Sequence, residues 1–369
     1  MDLIQELKNL EEVDIIQEIK DETLPLVMWG AGSSAPEVSF YLKCNGIQID
    51  DVFVDDEYYI EGIKFEEKEV LSYSMLCQKY DKVNIIFGNA NYEKKTLLET
   101  RKCVNKVYTL FSISYNVFEK TPLYEIEKYK NEFEQVYDLL EDDKSKENYI
   151  AFLKTRVSGN NKYIMDVFEQ EQTFFHNQIF QINDKEVYLD VGAYDGDTIR
   201  LFLNENQGKY KYIYAVEPDK KNNQKLKAYI EEKQLTDIEI TDKGAWNCTE
   251  EQCFSSGEQV FSIVSEKKIG KERKMLKVKV EKLDNMFQYF GKITLLKINY
   301  FEGVRETIEG ATNILREYSP KLAITVGFDC RNIRYIPYII KKINSKYRLY
   351  LRYNKGMASG LTLYGITHE

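Results

Sequence analysis

The second half of the chain contains a short segment in which glycines alternate with carboxylates. It runs from Asp190 to Thr198 with the sequence DVGAYDGDT, between an apolar run that predicts a strand and a pattern that predicts a helix. Gly192 and Gly196 carry no side chain, so a ligand could approach the backbone of this turn closely. Glu217 ends the next predicted strand, where a carboxylate can accept hydrogen bonds from both hydroxyls of a ribose. The pattern indicates a site for a nucleoside-bearing ligand.

Two ligand classes, NAD and S-adenosylmethionine (SAM), use a glycine turn followed by an acid. The turn is itself acidic here, because it contains Asp190, Asp195 and Asp197. Carboxylates attract the sulfonium and ammonium groups of SAM and would repel a pyrophosphate. The composition of the turn therefore favours SAM as the cofactor, and an ordinary tight turn with solvated acids is the alternative.

The elements that must position this turn alternate between strands and helices. Strands are predicted at 187–191, 212–216, 238–241, 293–298 and 321–326, with helices at 198–203, 221–233 and 334–343. Two further strands, 347–353 and 361–366, flank a glycine-containing loop, which predicts an antiparallel hairpin on a parallel sheet. We therefore predict an α/β fold whose C-terminal part is a class I, seven-stranded methyltransferase domain.

Residues 173–367 resemble the FkbM-type methyltransferases. The resemblance depends on the order and spacing of six segments: FF at 174–175, YLDVGAYDGDT at 188–198, YAVEPD at 214–219, KGAW at 243–246, VEKLD at 280–284 and PKLAI at 320–324. It implies a SAM-dependent O-methyltransferase that acts on a sugar, a glycan, a nucleotide-sugar or a related small hydroxyl acceptor.

The turn and the resemblance together give a set of candidate cofactor-binding residues. Trp246 follows the third strand and could stack on adenine, although a plain core tryptophan is the alternative. The full set is Asp190, Gly192, Ala193, Tyr194, Asp195, Gly196, Asp197, Thr198, Glu217, Pro218, Gly244, Ala245, Trp246 and Asn299.

The segments after the fourth and fifth strands, where the acceptor is expected to bind, depart from the family pattern. After the fourth strand the family usually carries Lys-(Ile/Met)-Asp-(Val/Ile)-Glu-Gly, whereas residues 297–303 read KINYFEG. Asn299 thus replaces an aspartate, and one residue is inserted before Glu302. After the fifth strand, residues 326–329 read VGFD where many relatives carry Tyr-His. These departures leave open a methyltransferase-like binding protein that has lost catalysis.

Methyl transfer to oxygen requires a base that removes the proton of the acceptor hydroxyl. Glu302 is the first candidate and Asp329 the second, because both should lie near the ends of strands four and five. Lys297 could act if its pKa were lowered, and a salt bridge is its alternative role. His176 lies before the first strand of the domain and could act as a base or as a capping residue.

The first half of the chain carries a second glycine turn. Gly30, Gly32 and Ala35 satisfy the GxGxxA spacing after a predicted strand, and Asp55 ends the next strand. With three predicted strands, the region is expected to be too short for a six-stranded NAD fold, and it resembles the N-terminal domains of bacterial sugar-modifying acyltransferases. It could bind a nucleotide or nucleotide-sugar, or serve an NAD(P)-dependent enzyme. The alternative is a scaffold without a ligand or a dimerisation module that forms a homodimer.

Composition sets limits on the whole chain. We predict a small Rossmann-like domain at 1–115, a helical connector at 116–180 and the methyltransferase domain at 181–369.

The net charge of −9 argues against a nucleic-acid partner. No apolar run is long enough to span a bilayer, and the start of the chain lacks the pattern of a signal peptide, so a cytoplasmic protein without a membrane partner is expected. Six scattered cysteines predict reduced thiols and no metal site.

Overall fold

The computed structural model describes residues 2–32, 35–88, 94–110, 120–172, 174–256, 261–262, 274–286, 292–300, 303–327, 329–355 and 360–367. Two α/β sheets organise these residues, and a helical segment lies between them in the chain. No helix within these ranges is both long enough and apolar enough to cross a membrane.

The first sheet has six strands, in the order β3-β4-β2-β1-β5-β6. All neighbours are parallel except the β3–β4 pair. The central strands are apolar and buried at almost every position, as expected for a parallel sheet with helices on its faces. The elements of this region are α1 (Leu3–Leu7), α2 (Ile15–Asp21), β1 (Leu26–Trp29), α3 (Ala35–Cys44), β2 (Asp51–Val54), β3 (Lys64–Phe65), β4 (Lys68–Ser72), α4 (Tyr73–Lys79), β5 (Val83–Phe87), α5 (Lys95–Glu99) and β6 (Val104–Tyr108).

Two expectations for this region were wrong. The sheet has six strands because short or partly polar segments, among them β3 and β4, add to the predicted core without an apolar run to mark them. Cys77 on α4 and Cys103 before β6 form a disulfide, although they are 26 residues apart in sequence. Only the fold brings these two thiols together, which explains why their spacing gave no signal.

The helical segment links the two sheets and packs against the second one. It contains α6 (Leu123–Lys128), α7 (Lys130–Leu139), α8 (Asp143–Ser158), α9 (Lys162–Met165) and a strand, β7 (Glu169–Gln172). Helix α1 lies on α7 and α8, where Leu3 and Leu7 are buried in the same apolar cluster as Phe133 and Phe152. The predicted boundary near residue 115 falls outside the described residues and stays a prediction.

The second sheet has eight strands, in the order β10-β9-β8-β15-β16-β18-β17-β7. The strands β10, β9, β8, β15 and β16 are parallel to one another. Strand β18 is antiparallel to both β16 and β17, so the predicted hairpin is confirmed. The eighth strand, β7, was not predicted. The elements are β8 (Val187–Val191), α10 (Asp197–Glu205), β9 (Tyr212–Val216), α11 (Lys220–Glu232), β10 (Ile238–Thr241), β11 (Gly244–Ala245), β12 (Glu250–Ser256), β13 (Phe261–Ser262), β14 (Lys274–Glu281), α12 (Leu283–Met286), β15 (Leu295–Ile298), α13 (Val304–Glu309), a π-helix (Ile314–Tyr318), β16 (Lys321–Thr325), α14 (Cys330–Ile343), β17 (Arg348–Lys355) and β18 (Leu361–Ile366).

The strand order creates a switch point between β8 and β15. Strand β8 pairs with β9 on one side and with β15 on the other, so the chain leaves the sheet in opposite directions there. Ligands of open α/β sheets bind outside the carboxyl ends of the strands at such a point. A separate four-stranded sheet, β11-β14-β12-β13, was not predicted.

Candidate active site

The turn after β8 depends on glycine at its first position. Gly192 has φ +78°, and a Cβ atom there would lie 2.4 Å from the backbone oxygen of Asn299. The N–H groups of Gly192 and Ala193 both donate to the carbonyl of Val216, at 3.0 and 3.1 Å. The ends of β8, β9 and β15 are therefore pressed together, and a side chain at this position would separate them.

Glu217 stands beside this turn, as the sequence predicts. Its carboxylate is buried and accepts the N–H of Tyr194 at 2.8 Å and the N–H of Asp219 at 2.9 Å. Tyr194 has φ +50°, a conformation rare for a bulky residue, and this turns its N–H toward Glu217. Burial raises the pKa of Glu217 to about 7, so its charge is incompletely compensated by the protein.

Asp190 and Lys297 form a buried ion pair between β8 and β15. Lys297 Nζ lies 2.7 Å from Asp190 Oδ1, and both side chains are fully buried. Thr198 donates to the other oxygen of Asp190 at 2.6 Å, and Lys297 donates to the carbonyl of Gly192 at 2.9 Å. The two residues hold the turn in place, and this geometry favours the salt-bridge role of Lys297 over that of a base.

The other acids of the turn are nearer the surface. Asp195 is bonded to Arg200 at 2.6 Å, and the carboxylate of Asp197 accepts the N–H of Thr198 at 2.8 Å. Gly196 precedes α10 directly with φ +89°, a conformation that favours glycine, and a Cβ there would lie 3.0 Å from a methyl group of Leu226.

The residues predicted after the third strand contact β14 and α13. Gly244 and Ala245 form β11, which pairs with β14. Pro218, which follows Glu217, is half-buried. The ring of Trp246 packs against Gly303, where a Cβ would lie 2.4 Å from it. This contact with the start of α13 matches the core-tryptophan alternative for Trp246.

Asn299, Glu302 and Asp329 were predicted to lie beside the acceptor, near the ends of β15 and β16, and the structure describes two of them. Asn299 accepts a hydrogen bond from Thr325 at 2.9 Å. Asp329 caps α14 through the N–H of Arg331 at 2.7 Å and also pairs with the Arg331 guanidinium. Both side chains are thus engaged in local structure. Glu302 lies outside the described residues, and its role as a base stays a prediction.

His176 is fully buried over the edge of the second sheet. Its Nε2 lies 3.2 Å from Glu169 on β7, and its ring packs edge-on against Tyr364 of β18 at 5.6 Å. Arg352 of β17 lies 3.4 Å from the other oxygen of Glu169. Among the predicted catalytic residues that the structure describes, His176 and Lys297 are both fully buried beside a carboxylate, and Lys297 is already engaged by Asp190.

Sequence reasoning missed the polar residues around His176. Arg352 and Asn354 lie near the carboxyl end of β17, Glu169 begins the neighbouring strand β7, and the side chains of all three are almost fully buried. A signal was available, because Arg352 and Asn354 alternate with the apolar residues Leu351 and Tyr353 near the end of β17. A buried charge in such a place requires a reason.

The first glycine turn has a different environment. Gly30 has φ +99° and donates to the carbonyl of Phe53 at 2.8 Å, Gly32 has open space around it, and Ala35 begins α3. Asp55 follows β2, as predicted, but Arg101 lies 2.7 Å from its carboxylate. The acid that would bind a ribose is therefore already paired within the protein.

Comparison with known proteins agrees with this geometry. Residues 190–335 match the family model of the methyltransferase FkbM domain. The crystal structure of a methyltransferase FkbM from Methylobacillus flagellatus is similar over 98% of this chain and 97% of its own, with a TM-score of 0.67 at 16% identity. An rRNA methylase from Streptococcus thermophilus covers 50% of this chain and 88% of its own, with a TM-score of 0.33 at 16% identity. A search of curated proteins finds no match.

The fold of the second sheet and its strand-end turn are those of a Rossmann-like methyltransferase. Residues 190–335 match the FkbM methyltransferase domain, and this match together with the fold supports an enzyme of the SAM-dependent methyltransferase class.

Proposed function

We propose that the protein binds SAM at the turn after β8 and methylates a hydroxyl oxygen. The acceptor in this proposal is a sugar, a glycan, a nucleotide-sugar or a related small hydroxyl compound, and the reaction takes place in the cytoplasm. A second ligand, a nucleotide or nucleotide-sugar at the first glycine turn, and a homodimer belong to the same proposal.

The observation that carries the cofactor assignment is the buried carboxylate of Glu217. A carboxylate with a pKa raised to about 7 by burial gains stability from donors that reach it. The two hydroxyls of a ribose are such donors, and Glu217 stands at the strand end where a nucleoside ribose binds in this fold class. Gly192 also suits this ligand, because without a Cβ at this position SAM can approach the backbone of the turn closely.

Different residues would contact different parts of SAM. Glu217 would accept the ribose hydroxyls, and the backbone of Gly192 to Gly196 would face the amino-acid end. Asp195 and Asp197 lie near the surface of the turn and add negative charge beside it. SAM supplies an electrophilic methyl group on a positively charged sulfur.

Calorimetric titration tests the cofactor assignment. We expect S-adenosylhomocysteine (SAH) to bind, and NAD and UDP to give no competing signal at this turn. Glu217→Ala should weaken SAH binding at least tenfold, because the loss of one charge-assisted hydrogen bond is worth about 1.4 kcal/mol. Glu231→Ala, on the exposed side of α11, is the matched control and should leave the affinity unchanged. Equal affinity in wild type and Glu217→Ala would refute the assignment.

Transfer of a tritiated methyl group from SAM tests the acceptor class. The panel should include methyl glycosides, UDP-glucose and a small alcohol, with an amine and a thiol as controls. Label that enters hydroxyl compounds only would support O-methylation. Label that enters the amine or the thiol instead would contradict it.

A further inference from the structure

The edge of the second sheet holds a buried polar cluster that the cofactor site does not use. We define the edge cluster as Glu169, His176, Arg352, Asn354 and Tyr364. These residues lie where β7, β17 and β18 meet the segment before β8, and four of them are less than 9% exposed. Burial of so many polar groups is costly unless each finds a partner.

Four polar atoms of the edge cluster have no hydrogen-bond partner within the described part of the chain: Oε1 of Glu169, Nε of Arg352, Nδ1 of His176 and Nδ2 of Asn354. The first two lie 3.4 Å apart in an ion pair, whereas Nδ1 of His176 and Nδ2 of Asn354 have no such contact there. The orientation of Asn354 is fixed by a relay, in which the N–H of Phe174 donates to Tyr364 Oη at 3.2 Å and Tyr364 donates to Asn354 Oδ1 at 3.1 Å. The amide of Asn354 therefore presents a donor. Such atoms suit a ligand that both donates and accepts.

The hydrogen-bonding roles of the two ring nitrogens of His176 follow from its partner, Glu169. Burial alone would raise the pKa of Glu169, but His176, Lys144 and Arg352 hold it below its usual value. Glu169 is thus a carboxylate and cannot donate, so the hydrogen of the shared bond belongs to Nε2 of His176. A second hydrogen on Nδ1 would be a buried donor without an acceptor, which is unfavourable. Nδ1 is left with a free lone pair.

The edge cluster lies on the same face of the sheet as the cofactor turn. Strand register places Asp190, Lys297, Ala323 and Tyr364 side by side across four strands, and residues opposite each other share a face. Phe174 bridges the two ends, since its ring lies 5.4 Å from Lys297 Nζ while its N–H bonds to Tyr364. Its φ of +71° is strained for an aromatic residue, and such strain accumulates at functional sites.

Charge in the edge cluster is balanced. Arg352 pairs with Asp142 at 2.6 Å and with Glu169, and Lys144 lies 2.9 Å from Glu169. Two cations therefore meet two carboxylates, and no cationic charge of this group is left for a phosphate or a carboxylate. An uncharged hydroxyl is the group that suits the lone pair of His176 and the donor of Asn354.

We propose that the edge cluster is the acceptor subsite and that His176 is the general base of methyl transfer. This inference rests on the proposed function. As the acceptor oxygen bonds to the methyl carbon, the carbon–sulfur bond breaks, its electron pair stays on sulfur, and the hydroxyl proton passes to His176 Nδ1. Glu169 orients the ring and stabilises the imidazolium, Asn354 donates to the acceptor, and the proton later leaves to solvent.

Nitrogen NMR of histidine-labelled wild-type protein tests the state of His176 without any acceptor. The chain has only two histidines, and His176→Gln assigns their signals. We expect a pyrrole-type shift for Nε2 and a pyridine-type shift for Nδ1 at pH 8. In Glu169→Gln this preference for one tautomer should weaken. A hydrogen on Nδ1 of the wild type would overturn the proposal.

Turnover tests the catalytic role. In the tritium assay, His176→Gln and His176→Ala should lose 10²–10⁴-fold in turnover, the usual range for a general base, while their affinity for SAH stays within twofold of wild type. Added imidazole should restore part of the activity of His176→Ala and none of that of Glu217→Ala. Wild-type turnover in His176→Gln would exclude the base.

The two proposals fail in distinguishable ways. Loss of SAH binding in the wild type would refute the cofactor assignment, and the tautomer measured by NMR would still decide the state of His176. Normal SAH binding with methylation of amines alone would refute the hydroxyl acceptor and the base together. Methylation of hydroxyls that survives in His176→Gln would refute the base alone.

Discussion

The two glycine turns of this protein have similar sequences and different surroundings. Each follows the first strand of a parallel sheet, and each is followed by an acid at the end of the next strand. In the first turn that acid, Asp55, is paired with Arg101 at 2.7 Å. In the second turn the Glu217 carboxylate accepts hydrogen bonds from the backbone N–H groups of Tyr194 and Asp219, with no ion pair among the described residues, and burial raises its pKa to about 7.

This difference separates two kinds of acid at the end of a strand. An acid that is already paired with arginine has little to gain from a ribose, whereas a buried carboxylate without a cation gains from each new donor. In the second sheet the buried lysine, Lys297, forms its ion pair with Asp190 and not with Glu217, so the Glu217 carboxylate can still accept hydrogen bonds from a ligand. Three predictions test the contrast between the turns.

The largest effect should come from breaking the ion pair of the second turn. Lys297→Met leaves Asp190 as an unpaired buried charge, which usually lowers the free energy of unfolding by about 3–5 kcal/mol. Arg101→Met leaves Asp55 unpaired in the first turn, where its side chain is 13% exposed, so the loss should be smaller. Urea unfolding measures both. Equal losses would mean that the two acids have equivalent environments.

A methyl group added to each turn should give the next largest effect. Gly192→Ala places a Cβ 2.4 Å from the backbone oxygen of Asn299 at a positive φ, so we expect a loss of roughly 1–3 kcal/mol in stability and no detectable SAH binding. Gly32→Ala meets nothing within 4 Å and should leave stability and SAH affinity unchanged. The prediction fails if Gly192→Ala binds SAH normally.

The smallest effect is the pH dependence of SAH binding. With a pKa of about 7, Glu217 is ionised to about one tenth at pH 6 and nine tenths at pH 8. Because ribose hydroxyls donate to the carboxylate, they favour the ionised form, and affinity should rise about tenfold as pH rises over this window. Calorimetry at both pH values should show no such rise in Glu217→Gln. Asp55→Asn, the matched change in the first turn, should retain it.

Local patterns in the sequence were sufficient to predict the central strands of the second sheet. Strands β8, β9 and β10 and the closing hairpin were predicted because apolar runs of strand length, bounded by glycine and acidic turns, specify buried parallel strands. The turn at Gly192 and the acid at Glu217 followed from the same patterns, since both lie within one strand–turn–helix–strand unit.

Partners distant in sequence could be decided only by the tertiary structure. Spacing alone gave Asp55 and Glu217 the same predicted role, and Lys297 a choice between base and salt bridge. Asp190 and Lys297 are 107 residues apart, and Arg352 and Asp142 are 210 residues apart. His176 was a candidate base from the sequence alone, but its carboxylate partner, Glu169 of β7, was decided by the tertiary structure. Side-chain charge and protonation depend on neighbours within a few ångströms, and the fold, not local sequence, selects those neighbours.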